Sequence, residues 1–533
     1  MKQHRGVVYG KNGVIAASQP LAVSCGLKML MEGGSFADAA LAASAVLCVT
    51  EPHNSHLGGD GFALVYEAGS GTVTALNGAG KAPMSATPEA LKTGIPTRGT
   101  AAAAVPGLPH LWCVMHDRWG LLSRERCLEP AIQYAREGYP AGTRTAAAFA
   151  GSSALWTEFP TTLSTLTGSS SLPHAGSTLL QPDLAETLEA LAVQGVDGFY
   201  RGTVAKAIAS ACAQTGGYIS VNDLADHRTQ VLNPLATQYR DVVVYGQPPS
   251  SQGHILLQEL NILEQFDAKA MGHNSAELIH LMVEAKKLAF ADRWRYLGDP
   301  AFVDVPISTL LSKDYARIRA AGIDMRRANH SASAGEVPHD TTYFCVADRE
   351  GNAISFIQSV FWGYGSGAMV PGTGILLNNR MTSFSLDPQH PNALAPGKRP
   401  VHTLNTWLVT REQHGHSRLE AVGGTPGADY QVQTNFQMIS NIVDFGMNPQ
   451  EAIEAPRWQH GEGVRTDAET EFLAIEDRVG EDVVNRLKEL GHHTQQLSAY
   501  GHGSTVQCIV RPQGANCFMA GSDLRADGHA AGF

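Results

Sequence analysis

A threonine between a polar segment and two apolar runs is the feature of this chain that most constrains its fold. Residues 329–338 are polar and show no apolar period. After Thr341, two alternating runs follow at residues 343–347 and 353–360, joined by the turn-rich residues 348–352. This pattern predicts a β-hairpin whose first strand begins beside the threonine.

Cleavage between Asp340 and Thr341 would turn this junction into a catalytic group. Thr341 would then carry a free α-amino group, whose ordinary pKa is about 8, next to its own hydroxyl. One residue would supply both the nucleophile and its base. The alternative is an ordinary start of a strand, because threonine is common on pleated surfaces. The local residues alone favour that alternative.

The composition indicates a large globular protein and excludes several function classes. The 533 residues are 43% hydrophobic and 17% charged, which suffices for a sizeable core. A net charge of -11 and a pI of about 6.0 argue against a nucleic-acid partner. The first residues lack the apolar segment of a secretory signal, no apolar run is long enough for a membrane helix, and the eight cysteines form no Cys-x-x-Cys pair. We therefore expect a cytoplasmic protein that has no membrane partner.

The order of the predicted elements favours a layered α+β fold. Helices are predicted over residues 20–31 and from a cap at Ser35 to about residue 49, and a glycine-dense turn and a strand follow. Residues 105–330 are predicted to be mostly helical, and strands return after Thr341. This order fits an α+β sandwich better than a doubly wound parallel sheet.

Two further segments could complete a site around Thr341. Ser359 lies on the returning strand of the hairpin, where its hydroxyl could reach Thr341, although a simple cross-strand contact is the alternative. Residues 423–429 form a turn of small residues before a predicted helix. The backbone N–H groups of Gly427 and Ala428 could bind an oxyanion there, although a plain strand-to-helix turn has the same composition.

Arg380 and His402 are the candidate groups for binding a substrate anion. Both side-chain types suit a carboxylate, but either residue could also be purely structural. The histidines include no His-Glu-x-x-His motif, no metal-ligand spacing stands out, and no glycine-rich nucleotide motif follows a strand. We expect neither a cofactor nor a metal.

Taken together, these segments resemble the γ-glutamyltranspeptidase family of N-terminal-nucleophile hydrolases over nearly the whole chain. The similar segments are Thr341-Thr342 and residues 58–62, 82–83, 105–107, 348–352, 363–367, 374–379, 396–400 and 424–427. The resemblance implies a four-layer αββα sandwich, made as an inactive precursor that cuts itself between Asp340 and Thr341. It makes Thr341 the nucleophile, Ser359 the supporting hydroxyl, and Gly427 with Ala428 the oxyanion hole.

The resemblance also implies how the processed chain is organised. Residues 1–340 would be the large (α) subunit and residues 341–533 the small (β) subunit, and both would form one compact αββα unit. The partners expected are this processed subunit, in an αβ heterodimer that could pair with a second one, and a small amide substrate.

Departures from the family pattern concern the substrate. The family's acid-bearing segment contains Arg380 here, its paired serines are replaced by His402 and Thr403, and a pocket asparagine is replaced by Phe361. The ammonium of an amino-acid substrate would then face Arg380 without a counter-charge, which is unfavourable in a pocket.

The pattern is most similar to the branch of the family that hydrolyses oxamate to oxalate and ammonia in purine breakdown. In that case Arg380, His402 and Thr403 would hold the carboxylate, and Phe361 would narrow the pocket. A γ-glutamyltranspeptidase or γ-glutamyl hydrolase, a glutaryl-type (cephalosporin) acylase and, more remotely, a noncatalytic binding protein are the alternatives.

Overall fold

The computed structural model describes residues 3–330, 340–413, 415–461 and 471–533. The strands are β1 (Val8–Gly10), β2 (Gly13–Ala17), β3 (Asp60–Glu67), β4 (Thr72–Asn77), β5 (Tyr139–Pro140), β6 (Thr178–Leu179), β7 (Gln230–Leu232), β8 (Leu235–Tyr239), β9 (Val242–Gly246), β10 (Asp340–Asp348), β11 (Ala353–Phe361), β12 (Met369–Val370), β13 (Ile375–Leu376), β14 (Thr406–Gln413), β15 (His416–Gly424), β16 (Trp458–Gly461), β17 (Phe472–Glu476), β18 (Thr494–Leu497), β19 (Gln507–Val510), β20 (Phe518–Ser522) and β21 (His529–Gly532).

The α-helices are α1 (Pro20–Met31), α2 (Phe36–Thr50), α3 (Leu108–Trp119), α4 (Arg124–Glu137), α5 (Thr143–Gly151), α6 (Ser153–Glu158), α7 (Pro160–Thr167), α8 (Pro182–Gln194), α9 (Val196–Tyr200), α10 (Thr203–Thr215), α11 (Val221–Ala225), α12 (Gly253–Leu263), α13 (Ala268–Met271), α14 (Ala276–Tyr296), α15 (Ile307–Leu310), α16 (Lys313–Ala321), α17 (Tyr430–Val443), α18 (Pro449–Glu454) and α19 (Glu481–Glu489). None of the helices in these described ranges is long and apolar enough to cross a membrane.

Two seven-stranded sheets form the centre of the fold. The order of the first sheet is β1-β20-β19-β15-β14-β9-β8, and that of the second sheet is β21-β2-β10-β11-β3-β4-β7. Each sheet therefore combines strands that precede residue 341 with strands that follow it. Two fragments separated at that residue would still share both sheets.

Helices cover the outer face of each sheet. Alternating residues of β10 point to opposite faces of the second sheet. Tyr343 and Cys345 lie in the core between the sheets, whereas Phe344 and Val346 pack against α1 and α2. The first sheet behaves in the same way, since Trp407 packs against α12 and α17 on its outer face. This arrangement confirms the predicted α+β fold with four αββα layers.

The two N-terminal helices form as their sequence predicts. Helix α1 spans Pro20–Met31, with proline in its first turn. Helix α2 begins after Ser35, whose side chain accepts hydrogen bonds from the N–H groups of Ala37 and Asp38, while Asp38 accepts from the Ser35 N–H. This capping box fixes the start of a helix whose residues are all buried.

The predicted hairpin is confirmed and lies at the centre of the second sheet. Strand β10 pairs in antiparallel fashion with β11 on one side and with β2 on the other. Asp340 is the register partner of Phe361 and Thr342 is the partner of Gln358, so the register shifts at Thr341. Thr341 therefore lies in a β-bulge, a feature often found next to active sites.

Contact between the two sheets near the hairpin depends on Gly424. A β-carbon built on this residue would lie 2.4 Å from the Tyr343 ring of the opposite sheet. We predict that Gly424→Ala lowers stability by about 1–3 kcal/mol, because the buried ring has no room to move away. Denaturant unfolding measures this loss. Gly69→Ala is the control, since a β-carbon there meets nothing within 4 Å; an equal loss in both variants would contradict the prediction.

Candidate active site

Thr341 and Ser359 form a buried pair of hydroxyl groups at the start of the hairpin. The Thr341 hydroxyl donates a hydrogen bond of 3.2 Å to Oγ of Ser359. The same oxygen accepts a 2.8 Å hydrogen bond from the N–H of Phe361. Thr341 is 4% exposed. The structure thus brings together the two hydroxyls that the sequence suggested, and it fixes the position of the Thr341 oxygen.

The backbone around this pair is strained. Phe361 has a φ of 85°, a value that bulky residues other than glycine rarely adopt. It is also the register partner of Asp340 across the bulge. The peptide bond before Thr341 therefore lies where the regular pairing of β10 with β11 is interrupted, opposite a strained residue.

The turn between β15 and α17 holds Gly427 and Ala428, the two residues suggested for binding an oxyanion, both at positive φ. Gly427 has a φ of 120° and Ala428 has a φ of 49°. The carbonyl oxygen of Gly427 accepts a 2.8 Å hydrogen bond from the N–H of Tyr430, in the first turn of α17. Because the peptide group is planar and trans, the N–H of Ala428 points the opposite way, away from the helix. Such an N–H can stabilise a developing oxyanion.

A cavity of about 310 Å³ connects this turn with the threonine. Thr341, Pro426 and Gly427 line it, together with the ionisable residues Glu51, Arg144 and Asp527. A hydroxyl nucleophile and a turn with an outward-facing N–H group therefore meet at one cavity. This is the arrangement that acyl transfer requires.

A hydrogen-bonded chain beside the threonine was not foreseen from the sequence. Oγ1 of Thr342 lies 2.6 Å from Oγ of Ser18, which donates a 2.9 Å hydrogen bond to the Glu51 carboxyl. Burial raises the pKa of Glu51, although its hydrogen bonds to Thr342 and Ser18 oppose this. Glu51 directly follows α2, and nothing in the local sequence marks it as part of a site.

A second cluster that the sequence only partly revealed joins Arg380 and His402 through Asp60. One Asp60 oxygen lies 3.3 Å from Nε of Arg380 and 3.1 Å from Nε2 of His402, and all three side chains are fully buried. Asp60 is the register partner of Ser359 on the neighbouring strand. Thr341, Ser359 and Asp60 therefore follow one another across three adjacent strands, which places the cluster next to the hydroxyl pair.

The charges of this cluster balance without a ligand. Burial raises the pKa of Asp60, but the His402 hydrogen bond and the Arg380 charge outweigh it and hold the pKa below its ordinary value. Burial lowers the pKa of Arg380 to about 10 and that of His402, with help from the Arg380 charge, to about 4. Asp60 and Arg380 are charged at neutral pH and His402 is neutral. The position of Asp60 beside Arg380, where it supplies a counter-charge to the arginine, was not foreseen from the sequence.

Arg380 nevertheless keeps hydrogen-bonding capacity. Among the described residues, neither of its two terminal nitrogens has a hydrogen-bond partner, and Nδ1 of His402 has none either. The guanidinium lies 4.2 Å from the centre of the Phe361 ring. A guanidinium that is bonded only through Nε leaves free the end that binds a carboxylate in bidentate fashion.

The remaining predicted substrate-binding residues line a separate cavity. Phe361 and Thr403 border a space of about 190 Å³ together with Trp294 and Arg293, which forms a 2.5 Å ion pair with Asp429. Arg380 and His402 are not among its lining residues. Phe361 thus connects three parts of the site: its N–H bonds Ser359, its ring contacts Arg380, and it lines this cavity.

The Asp60–Arg380 pair yields a prediction about stability. Asp60→Asn leaves the Arg380 charge buried without its acid, which should cost about 3–5 kcal/mol. Adding Arg380→Met removes both charges, so the double variant should lose less than the sum of the two single variants. Denaturant unfolding of the four proteins measures this coupling. Asp117→Asn, which breaks an exposed ion pair with Arg124, should cost less than about 1 kcal/mol; additive losses at positions 60 and 380 would contradict the prediction.

Comparison with known proteins agrees with this geometry. The family model described as gamma-glutamyltranspeptidase matches residues 22–533. The glutathione hydrolase-like YwrD proenzyme of Bacillus subtilis (strain 168) is 36% identical, with 98% of this chain and 99% of that protein covered. The oxamate amidohydrolase proenzyme of Klebsiella pneumoniae subsp. pneumoniae is also 36% identical, with 98% of both chains covered. Among solved structures, the cephalosporin acylase of Bacillus halodurans matches with a TM-score of 0.91 and 35% identity, covering 100% of this chain and 98% of that one.

Proposed function

Because the chain belongs to the γ-glutamyltranspeptidase family of N-terminal-nucleophile hydrolases, we propose that it cuts itself before Thr341 and then hydrolyses the amide of a small carboxylate-bearing substrate. The observation that carries this proposal is the buried Thr341–Ser359 pair, which lies in a strained bulge beside the Gly427–Ala428 turn. In this proposal residues 1–340 and 341–533 are the large and the small subunit.

Self-cleavage would begin at the bulge. The Thr341 hydroxyl attacks the carbonyl carbon of Asp340, its C–N bond breaks, and an ester forms while the nitrogen takes up a proton to become the new α-amino group. Water then opens the ester, which releases Asp340 as a carboxyl terminus and restores the hydroxyl. Strain stored at Phe361 favours departure from the regular backbone. The two sheets, each built from strands of both fragments, keep the fragments together.

The mature site would repeat this chemistry on a substrate amide. The free α-amine of Thr341 accepts the hydroxyl proton as the oxygen attacks the carbonyl carbon, and the N–H groups of Gly427 and Ala428 stabilise the oxyanion. The proton passes to the leaving nitrogen, and an acyl-enzyme remains until water hydrolyses it. Ser359 holds the attacking oxygen in place through the contact described above.

Arg380 supports a simple anion as the substrate, with oxamate as the first candidate. Its two terminal nitrogens lack partners, and it lies next to the strands that carry Thr341 and Ser359. Oxamate places its carboxylate one bond from the reacting carbon, which fits a cation so close to the nucleophile. The similarity to an oxamate amidohydrolase proenzyme supports the same assignment.

Asp60 gives a specific reason to keep γ-glutamyl compounds as a second candidate, since a carboxylate can hold a substrate ammonium. However, one of its oxygens already accepts from Arg380 and His402, and the other accepts a 2.9 Å hydrogen bond from the N–H of Gly80. An ammonium would have to displace one of these buried contacts. The cavity beside Phe361 is the corresponding reason to test glutaryl amides, whose acyl chain is longer.

We predict that the purified chain separates into two fragments, residues 1–340 and 341–533, whereas Thr341→Ala stays intact. The hydroxyl that attacks the Asp340 carbonyl is missing in the variant, although its strand remains buried and paired. Denaturing gel electrophoresis and N-terminal sequencing of the smaller fragment measure this. Thr342→Ser is the control, because it keeps the hydroxyl that contacts Ser18. A fully active wild-type chain that stays uncut would refute the proposal.

We predict ammonia release from oxamate, little turnover of γ-glutamyl-p-nitroanilide with or without glycylglycine as acceptor, and little turnover of glutaryl amides. The double variant Asp60→Asn/Arg380→Met, which leaves no unpaired buried charge, should still cut itself. It should lose about ten- to a hundredfold in kcat/KM for oxamate, because a charge-assisted contact contributes about 1.5–3 kcal/mol. Wild-type kinetics in a properly processed double variant would exclude Arg380 as the anchor. Robust dipeptide-dependent turnover would instead favour a transpeptidase.

A further inference from the structure

We propose that His280, Glu284 and His492 bind a divalent transition-metal ion at a site outside the catalytic centre. His280 and Glu284 lie one turn apart on α14, and His492 lies between α19 and β18. One donor atom from each residue lies within 4.8 Å of the other two, and all three residues are buried. Two imidazole nitrogens and a carboxylate oxygen are a ligand set that zinc and similar ions prefer.

The orientation of His280 fits a metal ligand. Its Nε2 lies 3.0 Å from the backbone carbonyl oxygen of Asp324. A carbonyl can only accept, so Nε2 carries a proton, and the tautomer with its single proton there has a lone pair on Nδ1. That Nδ1 faces Nε2 of His492 at 2.8 Å. Donation of the other ring N–H to a backbone carbonyl is the usual way in which proteins orient a metal-binding histidine.

His492 keeps one ring nitrogen without a hydrogen-bond partner in the described part of the chain. Its Nδ1 is buried and has no hydrogen-bond partner among the described residues. The 2.8 Å contact between Nε2 of His492 and Nδ1 of His280 has two explanations. Either Nε2–H of His492 donates to Nδ1 of His280, or the two rings move slightly apart and both bind one metal ion.

Glu284 can offer one oxygen to an ion. The ammonium of Lys287 lies 2.9 Å from Oε1 of Glu284, and it also bonds Glu471 at 3.0 Å, so that its charge is shared between two acids. Oε2 of Glu284 accepts a 3.3 Å contact from the N–H of Asn329, which is long for a hydrogen bond. This second oxygen is the one available to a metal.

The location of the site suggests a structural role. His280 and Glu284 precede residue 341 and His492 follows it, so an ion would link the two fragments if the proposed cleavage occurs. The segment that leads to the cleavage point also contacts the site, through the Asp324 carbonyl and the Asn329 N–H. Only this linking role depends on the proposed function; the ligand set does not.

The experiment measures metal uptake by the full-length protein. Wild-type protein and the uncleaved Thr341→Ala chain are treated with a chelator, dialysed and titrated with CoCl₂, with visible absorption as the readout. Metal content after gel filtration with ZnCl₂, and the thermal midpoint with and without it, complete the test. We expect one ion per chain in both proteins and a higher thermal midpoint. Because the uncleaved chain is also expected to bind the ion, metal binding is tested independently of whether the wild-type protein cuts itself.

Variants locate the site. Glu284→Gln, which keeps the shape of the side chain, and His492→Asn should each weaken binding by more than about tenfold. His493→Ala is the matched control, because this histidine is the exposed neighbour in the same loop and should bind as the wild type does. Absence of stoichiometric uptake by the wild type, or unchanged affinity in Glu284→Gln and His492→Asn, would overturn the proposal and leave a simple hydrogen bond between the two histidines.

Discussion

The pairing of β10 with a neighbour on each side is the constraint on which the site depends. Pairing with β11 from Thr342 onwards, and with β2 from Phe344 onwards, fixes the first strand of the hairpin. Thr341 stands at the point where this regularity fails: Ser359 holds its hydroxyl, and Phe361, the register partner of Asp340, has a strained φ of 85°. A nucleophile on an isolated loop would have neither the fixed position nor the local strain.

Buried charges organise the space around the nucleophile. Asp60 and Arg380 depend on each other, since the removal of either one leaves an uncompensated charge in the interior, and His402 bonds the same Asp60 oxygen. The loop at Gly503 and Thr505, which lines the Thr341 cavity, lies beside another buried network, in which Arg457 and Arg525 bind Asp523. Such networks position side chains more than they add stability.

Catalysis and specificity rest on different parts of the structure. In the proposed mechanism Thr341 attacks the reacting carbon, Ser359 holds the Thr341 oxygen, and the Gly427–Ala428 turn stabilises the oxyanion; none of these roles depends on the acyl group. In the proposed function, the choice of substrate is assigned to Arg380, Asp60 and the cavity beside Phe361. Relatives of similar identity, with names that refer to different substrates, are compatible with a shared mechanism and variable specificity.

The sequence by itself determined the local features. The alternating runs around residues 348–352 predicted the hairpin, the Ser35 capping box predicted the start of α2, and the small residues before α17 predicted the turn at Gly427. Each of these depends on neighbouring residues, whose periodicity and capping chemistry can be read directly. The strands β7, β8 and β9 were missed inside a region predicted to be mostly helical. β7 and β9 pair with the distant strands β4 and β14, and β8 joins the sheet only through its neighbour β9.

Only the tertiary structure decided which distant residues meet. Asp60 is 320 positions from Arg380 and 342 positions from His402, so the sequence could not show that the arginine has an acid beside it. Ser18 and Thr342 are 324 positions apart, and His280 and His492 are 212 positions apart. No local pattern in the intervening sequence predicts these contacts. Packing of the two sheets and their helices fixes it, and with it the electrostatics of the site.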